Sequence, residues 1–130
     1  MFSRALILVA GMLAMAAAVS AAPAPLKRQD TTVYNGQASY TEFNGGYGNC
    51  GSQVQNSEAA VGIDRNVYGN GDHCFQFIEI TARGKTVRAQ VVDSTDGDGA
   101  LNLSTSLFEQ FAPLDAGVFD ASWQFVQSDN

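Results

Sequence analysis

Two β-rich runs, residues 74–82 and 85–92, are separated only by Arg83 and Gly84. Two residues between such runs, one of them glycine, specify a tight hairpin, and a hairpin commits the surrounding chain to a sheet. Further along, residues 118–127 alternate with period two. Phe119, Ala121, Trp123 and Phe125 face one way, and Asp120, Ser122 and Gln124 the other, so one face of a strand is core. On the same criterion Trp123 is a core residue. Thr31 to Tyr40 reads as a first strand with Val33, Ala38 and Tyr40 among its core positions, and Ala59-Ala60-Val61-Gly62 as a short buried strand. Residues 64–71 read as a turn or a single helical turn. Ser104 or Ser106 can cap a helix running through Phe111, with Ser106 and Glu109 at capping-box spacing and Pro113 as the stop. Phe108 and Phe111 are its core face. No internal repeat or low-complexity run is visible. The expected architecture is all-β: a small six-stranded barrel with one or two short helices.

The ends set the compartment. Arg4 followed by the apolar run Ala5 to Ala18 and the small residues Val19-Ser20-Ala21 has the form of a secretory signal peptide, 1–21, too short to span a bilayer. Residues 22–28 end in Lys27-Arg28 and read as a short propeptide, so the mature chain, domain 29–130, begins at or near Gln29 and is extracellular. About 100 residues make one small domain. All thirteen acidic residues follow Arg28, against four bases (Arg65, Arg83, Lys85, Arg88), which gives the mature chain a net charge of −9. Such a surface repels phosphate backbones and anionic headgroups, which argues against nucleic acid and membrane as partners. A neutral polysaccharide or a basic protein suits it, and the chain reads as a monomer.

The chain has two cysteines, Cys50 and Cys74. In an oxidising compartment one disulfide is the default, closing a loop of about 25 residues and contributing about 3 kcal/mol on the loop-entropy model. A lone histidine, His73, leaves too few ligands for a zinc site, and no metal or cofactor motif is present. His73 itself reads as a surface or turn residue.

The order of short motifs carries a resemblance. Gly36-Gln37-Ala38-Ser39-Tyr40, Gly48-Asn49-Cys50-Gly51, Ala59-Ala60-Val61, the run from Cys74 to Ile80, Val91-Val92-Asp93, and Leu101-Asn102-Leu103-Ser104 with Leu107-Phe108 and Phe111-Ala112-Pro113-Leu114 follow one another over residues 32–127. In this the chain resembles the secreted fungal RlpA-like and expansin-like (barwin-related) double-psi β-barrels. The resemblance implies that fold and a Cys50–Cys74 bridge. It also implies loss of the second family disulfide, whose positions hold Phe77 and, approximately, Thr95; Phe77 is then expected to fill the vacated space.

The resemblance also implies a carbohydrate site. Asp93 matches one carboxylate position, and Asn102 stands where the hydrolytic and lytic members have the key acid. Glycosidic cleavage commonly needs two carboxyl groups, and an amide cannot deliver a proton as an acid. Asp93 alone also reads as a strand-end acid satisfying loop amides. Asp96 and Asp98 could substitute as carboxylates, but between glycines they read as solvated turn acids. Asn102-Leu103-Ser104 is an N-glycosylation sequon. Ligand-binding candidates are Tyr40, Tyr47, Asn49, Asp93 and Asn102, with Phe43, Tyr68, Asn44 and Asn66 as further groove candidates. Three functions follow as expectations. The first is a non-catalytic or very weakly active expansin-like barrel that binds or loosens cell-wall polysaccharide. The second is a protein-binding module such as a cysteine-protease inhibitor or effector. The third is a glycan-cleaving enzyme of the lytic transglycosylase or family-45 endoglucanase type using Asp93 with Asp96 or Asp98.

Overall fold

A computed structural model describes residues 31–126. The expected signal peptide (1–21), propeptide (22–28) and mature start near Gln29 lie outside the described residues. The strands are β1 (Tyr34–Thr41), β2 (Ala60–Asp64), β3 (Phe77–Ala82), β4 (Lys85–Thr95), β5 (Leu101–Ser104) and β6 (Phe119–Phe125). They close in the spatial order β1-β5-β2-β4-β3-β6, and β6 returns to β1. The β1–β5 and β2–β4 pairs are parallel and the other four antiparallel. Each parallel pair joins a strand from the first half of the chain to one from the second, giving the six-stranded double-psi barrel that the motif order implies. Exchanging β1, β2, β3 with β4, β5, β6 leaves every neighbour relation unchanged. The fold therefore has a pseudo-two-fold axis, which passes between β2 and β5.

Local chemistry accounts for most elements. Arg83 and Gly84 take φ of 51° and 79°, the left-handed pair that a two-residue hairpin requires, and they join β3 to β4 at Ala82↔Lys85. Along β6, Phe119, Ala121, Trp123 and Phe125 are buried while Asp120 is exposed. These side chains meet Ala38, Val61, Ile63, Ile78, Ile80, Val91, Leu101 and Leu103 inside the barrel. Each large apolar side chain buried there contributes about 1.5–3 kcal/mol. Trp123 stacks on Tyr34 at 4.4 Å between ring centroids, and its Nε1–H donates to the Gly99 carbonyl at 2.9 Å. Helix α1 (Arg65–Tyr68) is the single helical turn expected there, capped by Asp64, whose carboxylate accepts from the Asn66 N–H. Helix α2 (Thr105–Glu109) and a 3-10 turn (Leu114–Ala116) complete the fold.

Several boundaries differ from the sequence reading. The first strand begins at Tyr34, the last residue that β6 pairs with, so Val33 is 51% exposed rather than core. Residues 74–76 form a turn instead of strand: Cys74 N–H donates to Gly71, Gln76 N–H to His73, and Phe75 holds φ of 70°. Helix α2 ends at Glu109, short of Phe111, and no capping box forms, because Ser106 lies inside the helix. The N-cap is Ser104, whose hydroxyl donates to the Glu58 carbonyl rather than to a helical N–H. Phe77 does not fill an internal space. The period of β3 turns Ile78 and Ile80 inward and Phe77 outward, where it is 43% exposed with the Arg88 guanidinium 5.6 Å from its ring centre. Among the described residues no helix is long and apolar enough to cross a membrane.

Candidate functional site

The pairing registers place one residue from each of four adjacent strands in a single row. Ser39 pairs with Asn102, Asn102 with Gly62, and Gly62 with Asp93. Paired residues in a sheet point to the same face. The neighbours of this row along β5 and β2, namely Leu101, Leu103, Val61 and Ile63, fill the barrel, so the row lies on the outer face. A shift in register between Val61 and Gly62 makes this possible. Val61 pairs with Val91 and Gly62 with Asp93, so Val92 is the extra residue, and the bulge re-aims Asp93 outward. Asp93 and Asn102 thus flank Gly62, separated by two strand spacings, about 10 Å. Gly62 is itself buried, and a Cβ on it would stand 3.2 Å from the Asp93 Cβ, so the glycine lets β4 pack closely at this point.

Each member of the row is held by its neighbours. The Asn102 Nδ2 donates to the Thr41 hydroxyl at 2.6 Å, and the Ser39 hydroxyl lies 3.4 Å from Asn102 Oδ1. Asp93 Oδ1 accepts from the Asn49 backbone N–H at 2.9 Å, and the Asn49 side chain donates to the Ser94 hydroxyl at 2.7 Å. The expectation that Asp93 satisfies loop amides therefore describes one of its oxygens. The loop before β2 can lie this close only because position 48 is glycine: a Cβ there would fall 2.2 Å from the Val92 carbonyl oxygen. The same loop is fastened by Cys50 N–H to the Val92 carbonyl and by the Cys50–Cys74 disulfide.

One ion pair lies beside the row. The Arg65 guanidinium donates to Asp96 at 2.8 Å. That hydrogen bond, then the Asp96 charge, holds Arg65 above its ordinary pKa, with Asp93 adding to the effect. Asp96 is thus engaged with an arginine on an exposed loop, and Asp98 is exposed beside it. Asp64 is buried, with one carboxylate oxygen on the Asn66 N–H and the other on the Gly99 N–H at 2.8 Å, which pins the loop between β4 and β5. Among the described residues no group of three His, Cys, Asp or Glu side chains converges to hold a metal ion.

The other candidates divide. Tyr47, 71% exposed, sits two residues before Asn49 on the loop that carries it. Tyr40 pairs with Leu103 on the inward register and packs edge-on against Phe108, ring centres 5.0 Å apart, so it is not on the row of Asn102. Phe43 is buried with Val54, Ala60 and Val92 rather than presented in a groove. Tyr68 packs on the core with its hydroxyl 3.4 Å from Cys74 Sγ. Asn44 exchanges side-chain and backbone hydrogen bonds with Asn56, and Asn66 lies in α1. His73 is a surface residue stacked on Phe125 at 4.3 Å and bonded to Gln76. Sequence reasoning missed Ser39, Thr41, Gly62 and Arg65. Ser39, Thr41 and Gly62 are brought to the site by pairing register and Arg65 by its contact with Asp96, neither of which a local pattern displays.

No family model and no curated protein matches the chain. Solved structures do. An Asp-to-Asn variant of Clavibacter michiganensis expansin in complex with cellohexaose superposes with a TM-score of 0.68 at 27% identity, over 76% of this chain and 52% of that one. Streptomyces papain inhibitor matches with a TM-score of 0.66 at 28% identity, over 75% of this chain and 96% of the inhibitor. Cerato-platanin 3 of M. perniciosa shares the fold at 16% identity and a TM-score of 0.52. The chain spans about half the length of the expansin it matches and nearly all of the inhibitor.

Proposed function

We propose that this double-psi β-barrel, a structural relative of expansins, is a secreted non-catalytic module that binds a neutral cell-wall polysaccharide along the row Ser39–Asn102–Gly62–Asp93. One observation carries the reading. Half-buried Asp93 and Asn102 flank a buried glycine on the outer face of the barrel, each oriented by neighbouring hydrogen bonds. A sugar ring lying over Gly62 would offer hydroxyls to both sides. Asp93 accepts through Oδ2, and Asn102 and Ser39 can donate or accept. Cleavage needs a proton donor at the leaving oxygen, and Asn102 offers none. Asp96 is tied to Arg65 on an exposed loop outside the row, where the arginine favours its ionised form over a proton donor. The relative with cellohexaose in its structure supports a glycan as ligand.

Binding to insoluble cellulose, chitin and β-glucan tests the reading, with release of reducing ends measured in parallel. The expected result is retention on one of them without cleavage. Asn102→Asp should alter glycan affinity or confer slight activity, since it places on the row a carboxyl group that can donate a proton. Asn102→Gln serves as the control, because both changes delete the sequon. Identical behaviour of the two variants would remove position 102 from the site.

A second reading rests on a specific match. Streptomyces papain inhibitor is a barrel of nearly the same length as this one, without the remainder that the expansin carries. On that reading the loops around Tyr47 and Asp96 contact a cysteine protease. Inhibition kinetics with papain separates the two: sub-micromolar inhibition without glycan retention would favour the protein-binding role.

A further inference from the structure

We propose that Phe75 and Phe77 form, together with Tyr47, an aromatic band that stacks additional sugar residues of the polysaccharide bound at the Asp93–Asn102 row. The inference rests on the glycan reading given above. Three large apolar side chains on segments bonded to β4 are open to solvent: Tyr47 at 71%, Phe75 at 44% and Phe77 at 43%. Phe75 occupies left-handed backbone, φ 70°, which a bulky side chain rarely adopts and which persists only where the surroundings enforce it. Here they do. Phe75 N–H donates to the Val91 carbonyl at 2.8 Å, and its carbonyl accepts from Gln90 Nε2 at 3.1 Å.

The band is continuous with the row through β4. Gln90 pairs with Phe77, Val91 binds Phe75, the Val92 carbonyl binds Cys50, and Asp93 binds Asn49. Along β4 the attachment points of Phe75 and Phe77 therefore lie two and three residues from Asp93, about 7 and 10 Å. The Cys50–Cys74 bridge, with Cα atoms 5.6 Å apart, ties the loop of Tyr47 to the turn of Phe75. The electrostatics favour a neutral ligand with apolar faces. Three of the four bases of the described chain are hydrogen-bonded, Arg65 with Asp96 and Arg83 and Lys85 with main-chain carbonyls, while Arg88 stands over the Phe77 ring. Arg88, exposed beside Phe77, is the one base of the described chain without an ion-pair or hydrogen-bond partner, against the thirteen acidic residues that follow Arg28. Sugar rings carry C–H faces that lie on aromatic rings, while their hydroxyls reach the polar row.

Calorimetric titration of the full chain with cellohexaose, chitohexaose and laminarihexaose, and with the three matching trisaccharides, tests the proposal. The hexasaccharide that binds should lose about tenfold in affinity on Phe75→Ala or Phe77→Ala, the size of loss that truncating an anchoring ring brings. The trisaccharide should lose less than about twofold, Phe77→Tyr should restore binding, and Asn102→Ala should weaken both lengths. Hexasaccharide affinities of both alanine variants within about twofold of the parent, with Asn102→Ala still defective, would overturn the band and leave the row standing. Loss of papain inhibition in the same variants, with glycan affinity intact, would assign these rings to a protein partner and equally overturn it. Failure of the parent protein to bind any hexasaccharide or insoluble glycan would overturn the row and the band together. Thermal unfolding of each variant separates a binding defect from a folding one.

Discussion

Gly62 shows how much one residue can decide. It pairs with both Asp93 and Asn102, and it is the only member of the row without a side chain. A methyl group there would meet the Asp93 Cβ at 3.2 Å, close enough to push it aside by a few tenths of an ångström. Gly62→Ala should fold, its stability changing by no more than about 1 kcal/mol because the entropic gain in the unfolded chain offsets the crowding. Glycan retention should fall about tenfold. Unchanged retention in a pull-down would mean that sugars do not lie over this position. Phe75 is the complementary case. Its left-handed backbone costs about 1–2 kcal/mol for an L side chain and almost nothing for glycine. Phe75→Gly should therefore be more stable than Phe75→Ala, reversing the usual order of those two residues. Urea midpoints of the pair measure it, and an equal or lower midpoint for the glycine variant would show that the turn relaxes when the ring is removed.

At the scale of elements, the barrel is held by contacts that cross between distant segments. The hairpin turn between β3 and β4 supplies Arg83 and Lys85, whose side chains donate to the carbonyls of Phe111 and Gln110 at 2.9 and 2.7 Å. Those carbonyls follow the last turn of α2, where a helix leaves acceptors unpaired, and cations there also suit the helix dipole. Arg83→Met keeps the aliphatic stem and removes the donor, so it should cost about 1 kcal/mol and lower the Tm by about 4–8 °C. Trp123 does the same for the loop between β4 and β5 by donating to the Gly99 carbonyl inside the barrel. Trp123→Phe should cost about 1–3 kcal/mol, because a buried acceptor loses its partner. Hydrogen exchange should then quicken first at the Gly99 amide, which Asp64 also holds. Exchange that quickens uniformly across the barrel would argue against a local anchor.

At the scale of the whole molecule, the pseudo-two-fold axis organises the site. It relates β2 to β5 and β1 to β4, so it exchanges Gly62 with Asn102 and Ser39 with Asp93 along the row. The two ψ connections are likewise equivalent in placement. The loop after β1 packs on β4 through Gly48, and the loop after β4 packs on β1, where a Cβ at Gly36 would meet the Gly99 carbonyl oxygen at 2.3 Å. The disulfide reinforces only the first of these. Removing it with Cys50→Ala and Cys74→Ala together should cost about 3 kcal/mol and lower the Tm by about 12–24 °C. Loss of Asn49 from its place beside Asp93 should accompany it, read as weaker glycan retention below the lowered Tm. Full retention would show that the hydrogen bonds of the loop hold it unaided.

The order of motifs from Gly36 to Leu114 was enough to imply the double-psi barrel, and local chemistry was enough for the Arg83-Gly84 hairpin, the alternating face of β6 and the core place of Trp123. These are properties of neighbours in sequence: turn residues, period-two burial and chain order. The amide at position 102 was also legible, and with it the expectation of binding over cleavage. What only tertiary structure decided is which residues stand beside one another. The bulge at Val92 sets which β4 side chain faces outward, and the registers of β1, β5, β2 and β4 then line Ser39, Asn102, Gly62 and Asp93 across contacts of 31 to 63 residues. The outward turn of Phe77, the burial of Phe43 and the engagement of Asp96 by Arg65 were decided in the same way. A pairing register is fixed by packing on the far side of the sheet, so no local run of residues contains it.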